Sequence, residues 1–303
     1  MNNYYQGKIE KSDRYGKALF VTCFLFFFTL FCQSSSAAER TDRSLAKALS
    51  GITCDGGDPR ERGPRAAAMG GCSSAVAGGA ETALFNPAML VGSPDGGLLF
   101  WTPSRFGMTE LGAAAGVWSQ SFSVLNTAIS IQRFGFALYS EHRLDASIAL
   151  PISGTISAGA RISALHINIA RYGSTVIPLI DFGVRCGIAE GLEVGAVGFA
   201  LNMPSIDGDE RLPAGLSTGI AWRHEGMLLA LDCEKESRQG ADIRMGAEYR
   251  PIREFALRCG AGTLDRQWTA GFALQHGTLR VEYALSIHSE LGATHTVGIG
   301  FEP

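Results

Sequence analysis

From Gly226 to Phe301 the chain alternates with a period of two. Leu279, Val281, Tyr283, Leu285 and Ile287 fall on one side of their segment; Arg280, Glu282 and Ser286 fall on the other. Met227, Leu229, Leu231 and Cys233 oppose Asp232 and Glu234. Met245, Ala247 and Tyr249 oppose Arg244, Glu248 and Arg250. Phe255, Leu257 and Cys259 oppose Ala256 and Arg258, and His295, Val297, Ile299 and Phe301 share a face. Side chains of a strand point alternately to opposite faces, so each segment reads as a strand with one apolar and one polar side. The polar side carries opposite charges on successive strands, which can pair across a single face. The other side is nearly free of charge. This pattern predicts a membrane-spanning barrel, apolar toward lipid and internally neutralised toward the lumen. A soluble antiparallel sheet alternates too and is the competing reading.

Turn residues divide the chain after Asp95 into candidate strands at 97–103, 112–121, 125–139, 145–151, 154–169, 176–188, 192–202, 214–224, 227–234, 241–250, 254–262, 267–276, 278–288 and 293–302. The expected fold is all-β: a transmembrane antiparallel barrel of about fourteen strands, with twelve as the alternative count. Linkers such as Glu190-Gly191 are tight; 170–175 and 204–212 read as longer loops. Barrels place short turns on the periplasmic side and longer loops outside.

Alternation fails before Gly92. Residues 64–92 are rich in Ala and Gly, with a helical turn expected at 82–85, which Pro87 helps to end by restricting Asn86. Small residues allow close backbone packing, as a segment folded into the lumen requires. The bland alternative is a surface segment ahead of the first strand.

Composition agrees with a membrane barrel. Charged residues make up 18% of the chain, below the ~25% usual for soluble domains. Past the N-terminus there is no apolar run of the ~18 residues that a helical span needs. Lys8, Lys11, Arg14 and Lys17 precede an apolar stretch, Ala18 to Cys32, and small residues lead to Ala38. This order predicts a secretory signal peptide over 1–38, cleaved near Ala38, with an uncleaved anchor as the alternative. The predicted organisation is then 1–38 signal, 39–94 N-terminal plug or hatch, with a short helix open around 43–49, and 95–303 barrel. The net charge of −3 becomes more negative once the basic leader is gone, which argues against a nucleic-acid partner. The scattered cysteines form no disulfide framework. Cys186, Cys233 and Cys259 read as small apolar side chains in strands, and Cys54 and Cys72 could pair in an oxidising compartment.

Chemistry-bearing motifs are weak. Gly215-Leu-Ser-Thr-Gly219 matches a nucleophile elbow, but Ile220-Ala-Trp222 continues as strand where the motif needs a sharp turn into a helix. The histidines lack metal-ligand spacing. No catalytic residue, metal site or cofactor is expected, and no enzyme. The candidate site is instead a lumen charge ladder, Asp232, Glu234, Arg244, Glu248, Arg250, Arg258, Arg280 and Glu282, together with a plug motif, Arg65, Met69, Gly70, Gly71, Asn86 and Pro87. Mutually satisfied lumen pairs are the bland account of the ladder; a polar passage is the sharper one.

Pro64-Arg-Ala-Ala-Ala-Met-Gly-Gly71, followed by Ala83-Leu-Phe-Asn-Pro-Ala88, resembles the N-terminal signature of the PorV/PorQ-type outer-membrane proteins. These are relatives of the FadL-like, long-chain fatty-acid transporter barrels. Gly135-Phe-Ala-Leu-Tyr139, Asp181-Phe-Gly183, Gly246-Ala-Glu-Tyr-Arg250 and Glu290-Leu-Gly-Ala-Thr-His295 extend the similarity in order along most of the chain. The resemblance implies an outer-membrane barrel with its N-terminal segment in the lumen, surrounded by outer-membrane lipid. It implies passage or presentation of small hydrophobic ligands, as in FadL-like members, or a non-transporting role beside secretion-system proteins (type IX-like), as in PorV-type members. The ending Phe301-Glu-Pro303 departs from the usual terminal aromatic, and the chain is short for either group, which puts a deep external cleft and a large docking surface in doubt.

Overall fold

The computed structural model describes residues 63–207, 210–237, 240–263 and 267–303. The signal peptide, the helix considered at 43–49 and Cys54 lie outside the described residues. The strands are β1 Gly96–Thr102, β2 Ala113–Phe122, β3 Leu125–Gly135, β4 Tyr139–Pro151, β5 Ile156–Ile169, β6 Gly173–Ala189 and β7 Leu192–Phe199. A short hairpin follows, β8 Ser205–Asp207 with β9 Glu210–Arg211. Then come β10 Gly215–His224, β11 Met227–Glu236, β12 Ala241–Ile252, β13 Phe255–Gly262, β14 Gln267–His276, β15 Leu279–His288 and β16 Gly292–Phe301. All except β8 and β9 belong to one closed antiparallel barrel of fourteen strands. It closes between β1 and β16, with Gly97 opposite Phe301 and Trp101 opposite Val297. Closure leaves no unpaired edge.

The two faces settle which reading of the alternation holds. Leu231 is 47% exposed while its neighbour Asp232 is 1% exposed. The same inversion recurs around the barrel. Met245, Leu257, Leu274 and Ile299 are exposed, whereas Arg244, Arg258, Arg280 and Glu282 are buried. A soluble sheet buries its apolar face; this one buries its ions. Among the described residues no outward position of the fourteen barrel strands carries Asp or Glu, and only Arg133 and Lys235 carry a full positive charge there. Cys233 and Cys259 also lie on this outer face, exposed.

The tight turns at 123–124, 190–191, 225–226, 253–254 and 277–278 all lie at one end, the end where β16 finishes. The longer connections, from β1 to β2 and from β7 to β10, lie at the other. Two expected boundaries are corrected. The strand expected over 125–139 stops at Gly135, whose φ of 95° starts a turn that Phe136 N–H closes on the Tyr139 carbonyl at 2.7 Å. What reads as a linker over 140–144 is the first part of β4. Similarly, β6 begins at Gly173, so the loop expected over 170–175 shrinks to 170–172. Both errors have one cause: Ser140, His142 and Ser174 are polar side chains at outward positions, so the alternation disappears there.

Residues 63–94 lie within the barrel. They form a helix, α1 (Pro64–Ala68), and two 3₁₀ turns, Ala80–Leu84 and Pro87–Leu90. Leu84, Phe85 and Leu90 pack against Leu98, Phe100, Val117 and Ala128 from the inner faces of β1 to β3. α1 packs on β13 to β16 on the other side of the closing seam.

Candidate functional site: the packed lumen

Pro64 starts α1 at a position where its missing N–H costs nothing. Met69 ends the helix, and Gly70 and Gly71 follow with φ of 67° and 87°. Here the segment lies directly on the wall: a methyl group at Gly70 would fall 2.7 Å from Ala261 N and 2.8 Å from Met245 O. The Thr269 hydroxyl accepts from Gly70 N–H at 2.9 Å and donates to the Ala68 carbonyl at 2.8 Å, which secures both sides of the bend. Further along, Asn86 is extended ahead of Pro87 and fully buried. Its side-chain oxygen accepts from Ala88 N–H at 3.1 Å and so caps the turn over Pro87–Leu90. Its amide donates to Ser74 O at 2.8 Å and to Val184 O of β6 at 3.1 Å. Asn86→Ala removes a cap and leaves buried acceptors unpaired. The expected cost is about 2–3 kcal/mol, read as an earlier urea midpoint in detergent micelles.

The wall makes room for this segment with inward glycines. Gly159 faces Gly183, Gly195 faces Gly219 and Gly246 faces Gly260 as direct cross-strand partners. A methyl group at Gly159 would meet Ala88 N at 2.6 Å, and one at Gly246 would meet Met69 O at 2.5 Å. At Gly183 it would strike the Asn86 side-chain oxygen, and at Gly195 the Ser74 carbonyl. These glycines escape a reading that tracks apolar and charged positions. Their signal was the inward parity of each one.

The ladder residues divide into three groups. Glu248 accepts from Arg65 Nε at 2.9 Å, Arg258 Nε at 2.8 Å and Arg250 Nε at 3.0 Å. Arg258 continues to Glu282 at 2.6 Å, and Arg280 reaches Glu81 at 3.3 Å and also pairs with Glu302. Arg65, Arg250, Arg258 and Arg280 thus balance Glu81, Glu248, Glu282 and Glu302. Arg244 forms a second group with Asp242 at 2.6 Å and Glu234 at 2.8 Å. Asp232 stands opposite Arg244 in register but turns away from it. Its carboxylate accepts from Ser73 N–H and Ser74 N–H, both at 2.8 Å. Asp232 thus has an arginine across the strand pair but holds main chain instead. In the inner segment, burial holds the Glu81 carboxyl above its ordinary range, against the pull of Arg280.

A further ionic cluster lies outside the expected ladder. Arg161 and Asp181 are cross-strand partners on β5 and β6 and form a buried ion pair. Arg161 also donates to the Ala83 carbonyl of the inner segment at 2.8 Å. Asp145 takes hydrogen bonds from Ser130 at 2.5 Å, Arg143 at 2.6 Å and Gln132 at 2.8 Å. These residues carry the same inward parity as the ladder, so the same period-two rule places them.

Ser217, the centre of the elbow-like motif, lies in the continuous strand β10, and its hydroxyl is 2.6 Å from that of Ser74. It is a wall anchor. Cys72 is buried with its Sγ 3.7 Å from Ala230 O. The void bounded by Arg65, Cys72, Val76, Glu81 and Phe85 amounts to ≈ 10 Å³. Toward the long-loop end the inner wall changes character: Leu165, Ile167, Ile177 and Leu179 form an apolar patch, covered by Ala200 and Leu212.

No protein-family model matches the chain, and no curated protein matches it. Solved structures do. The toluene transporter TbuX of Ralstonia pickettii superposes with a TM-score of 0.63 at 12% identity, over 81% of this chain and 99% of its own. The CymD monoaromatic hydrocarbon channel gives 0.64 at 14% identity, over 81% and 98%. A FadL homologue of Pseudomonas aeruginosa gives 0.55 at 9% identity, over 79% and 98%. The likeness is one of fold: a FadL-like barrel of fourteen strands.

Proposed function

We propose that this chain spans the outer membrane and passes small apolar molecules across it, with residues 63–94 as its plug. The observation that carries the reading is the inside-out wall: exposed aliphatic and aromatic side chains surround a closed barrel whose ions are buried. Only a barrel of this kind satisfies its backbone in hydrocarbon without a helix. The leader over 1–38 delivers the chain, with cleavage near Ala38. The long-loop end faces outward, by the usual asymmetry of turn lengths. Just inside that end, Leu165, Ile167, Ile177 and Leu179 are apolar where a pore for ions would place charge, and Ala200 and Leu212 cover them, so a ligand would reach them by displacing that cover. The hydrocarbons named for TbuX and CymD are molecules of the size and polarity this surface suits. In this reading Arg65, Met69, Gly70, Gly71, Asn86 and Pro87 seat the plug, and Asp232, Glu248 and Arg280 of the ladder hold it.

Uptake of radiolabelled toluene tests the proposal in an outer-membrane host without its own hydrocarbon channels. Cells carrying the protein should take up label several-fold faster than cells with an empty vector. Equal rates would end the transport reading. One observation favours a second reading, a PorV-like partner that transports nothing: Asp232, Ser217, Val184, Arg161 and Thr269 of the wall fix the inner segment at separate points. A partner protein would need only a sealed barrel, and would retain secretion components in a pull-down from its own cells.

A further inference from the structure

We propose that the mouth of the lumen at the tight-turn end binds a protein segment through a carboxylate, held by Arg223 and Arg250. The inference rests on the membrane-spanning reading above and adds a partner to it. In that orientation the mouth faces the periplasm, so the segment belongs to a periplasmic protein.

Arg223 is the exception among the inward arginines. Among the described residues, every other arginine that faces the lumen from a barrel strand has a carboxylate partner. Arg223, on β10, has none. Its Nη2 donates to the Ala77 carbonyl at 3.1 Å, and Arg65 Nη1 donates to the same oxygen at 3.2 Å. Two guanidinium groups thus share one neutral acceptor. The charged side chains that act most on Arg223 are Arg65, Glu248, Arg250 and Glu193. Both acids are already engaged, Glu248 with Arg65, Arg250 and Arg258, and Glu193 with Arg185. Arg250 gives only its Nε to Glu248. Its Nη groups have no partner among the described residues, and its side chain is 35% accessible. Arg223 is exposed as well. Unlike the ions deeper in the lumen, both are within reach of a partner in solution.

Strand register brings these groups together. Arg223 is opposite Leu228, and Leu228 is opposite Glu248. Arg250 lies one inward position nearer the rim, where its main-chain N–H donates to the Gly226 carbonyl at 2.9 Å. Beside Arg250 is a recess of ≈ 770 Å³, walled by the turns at 225–226, 251–254 and 275–277. Ligand clefts commonly measure about 300–1,000 Å³. Arg253 lines the recess too, exposed and without a partner among the described residues. Glu225 and Glu254 complete its charged lining, both exposed. Glu225 approaches only His224, at 3.8 Å.

This lining defines the occupant. At the inner end, guanidinium donors converge where a carboxylate can accept from them, the charge-assisted pairing that arginine makes best. Arg223 alone is left over once the inward pairs are formed, so one acid suffices. Pro251 and the exposed Ile252 give an apolar flank. Glu225 and Glu254 accept hydrogen bonds from main-chain N–H groups and repel further negative charge. A peptide segment with one acid among neutral residues meets all three demands. A run of acids or a nucleic-acid strand does not.

The test is affinity selection on the immobilised full chain in detergent, with retained peptides read by mass spectrometry. The probes are a pool of capped hexapeptides carrying one glutamate among varied neutral residues, the matched glutamine pool, acetate as competitor, and oligoglutamate. Wild-type protein should retain the glutamate pool at least about fivefold over the glutamine pool, with acetate a poor competitor. Arg223→Gln should lower that preference about fivefold to tenfold, the scale of a charge-assisted hydrogen bond at a partly exposed site. Arg223→Lys should restore part of it. Arg253→Gln touches no plug residue and should lower it about twofold, so the proposal stays testable if Arg223→Gln fails to fold. Arg133→Gln, on the outer face at the opposite end, should change nothing. Equal retention of the two pools, or an unchanged preference in Arg223→Gln and Arg253→Gln, would overturn the proposal. Complete displacement by acetate at equal concentration would make this a small-anion site, and stronger retention of oligoglutamate would make it an unselective basic surface; either result also overturns it. A failure of the membrane-spanning reading would look different: the protein would stay dissolved without detergent. The compact unboiled band reports whether each variant folds.

Discussion

Removal of residues 64–92 should convert a barrel that carries no measurable current into one with stable open steps in a planar bilayer. The expectation follows from what fills the lumen. α1 lies along β13 to β16, and the 3₁₀ turns lie against β1 to β6. Without the segment the inward glycines face empty space, which water fills. The ionic side chains of β11 to β15 tolerate that, since water and neighbouring charges replace their plug contacts. The apolar inner faces of β1 to β4, led by Leu98, Phe100 and Val117, lose their cover, and exposed apolar area costs about 25 cal/mol per Å². Some loss of stability is therefore expected, and heat-modifiable gel mobility must show that the deletion variant still folds. A gentler variant reaches the same point. Gly195→Val places a side chain where the Ser74 carbonyl sits, so the plug must move while the wall stays intact. Brief openings are expected there. If a folded deletion variant remains silent, the lumen is no passage, and the partner reading becomes the stronger one. The density of contacts limits how a plug can open in the native protein. Asp232, Ser217, Asn86, Arg161 and Thr269 hold it at separate points around the wall. Wholesale expulsion would break them together, so on the transport reading passage would need a local shift.

The strand count, the turn positions and the facing of each side chain were legible because one rule governs them all. A residue two positions along returns to the same face, and in this chain the faces differ sharply in charge. Met227 to Glu234 illustrates this: Leu229 and Leu231 face out, and Asp232 and Glu234 face in. The rule fails where a face departs from its usual chemistry. Ser140 and His142 are outward and polar, so alternation does not mark the first part of β4. The parts of the site that depend on distance were not legible. Nothing local says that Arg65 meets Glu248 across 183 residues, or that Asp232 abandons Arg244 for the amides of Ser73 and Ser74. The inward glycines were hidden for another reason: a glycine has no side chain to mark a face, and its role appears only when another backbone lies against it.

Glu248→Ala should be the most destabilising single substitution in the barrel, at about 3–5 kcal/mol, because it strands buried cations. Glu248 is the shared acceptor of Arg65, Arg250 and Arg258. The three arginines will not suffer equally. Arg250 is about a third exposed, with a side-chain accessibility of 35%, and can turn to water. Arg258 keeps Glu282 at 2.6 Å. Arg65, 3% exposed, keeps only the carbonyls of Ala77 and Gly78, both within its own segment. The loss therefore falls on the one ion pair that joins α1 to the wall. Adding Arg65→Met should recover part of the stability, since the stranded charge is then gone, and a double-mutant cycle should return a coupling of about 1–3 kcal/mol. Glu225→Ala, at an exposed turn, should change stability by less than about 0.5 kcal/mol. Urea unfolding in micelles, followed by loss of the compact band, measures wild type and all four variants. A cost below about 1 kcal/mol for Glu248→Ala would mean that water reaches Arg65 freely. The lumen would then be wet around the plug, and the seal, together with the deletion phenotype built on it, would have to be abandoned.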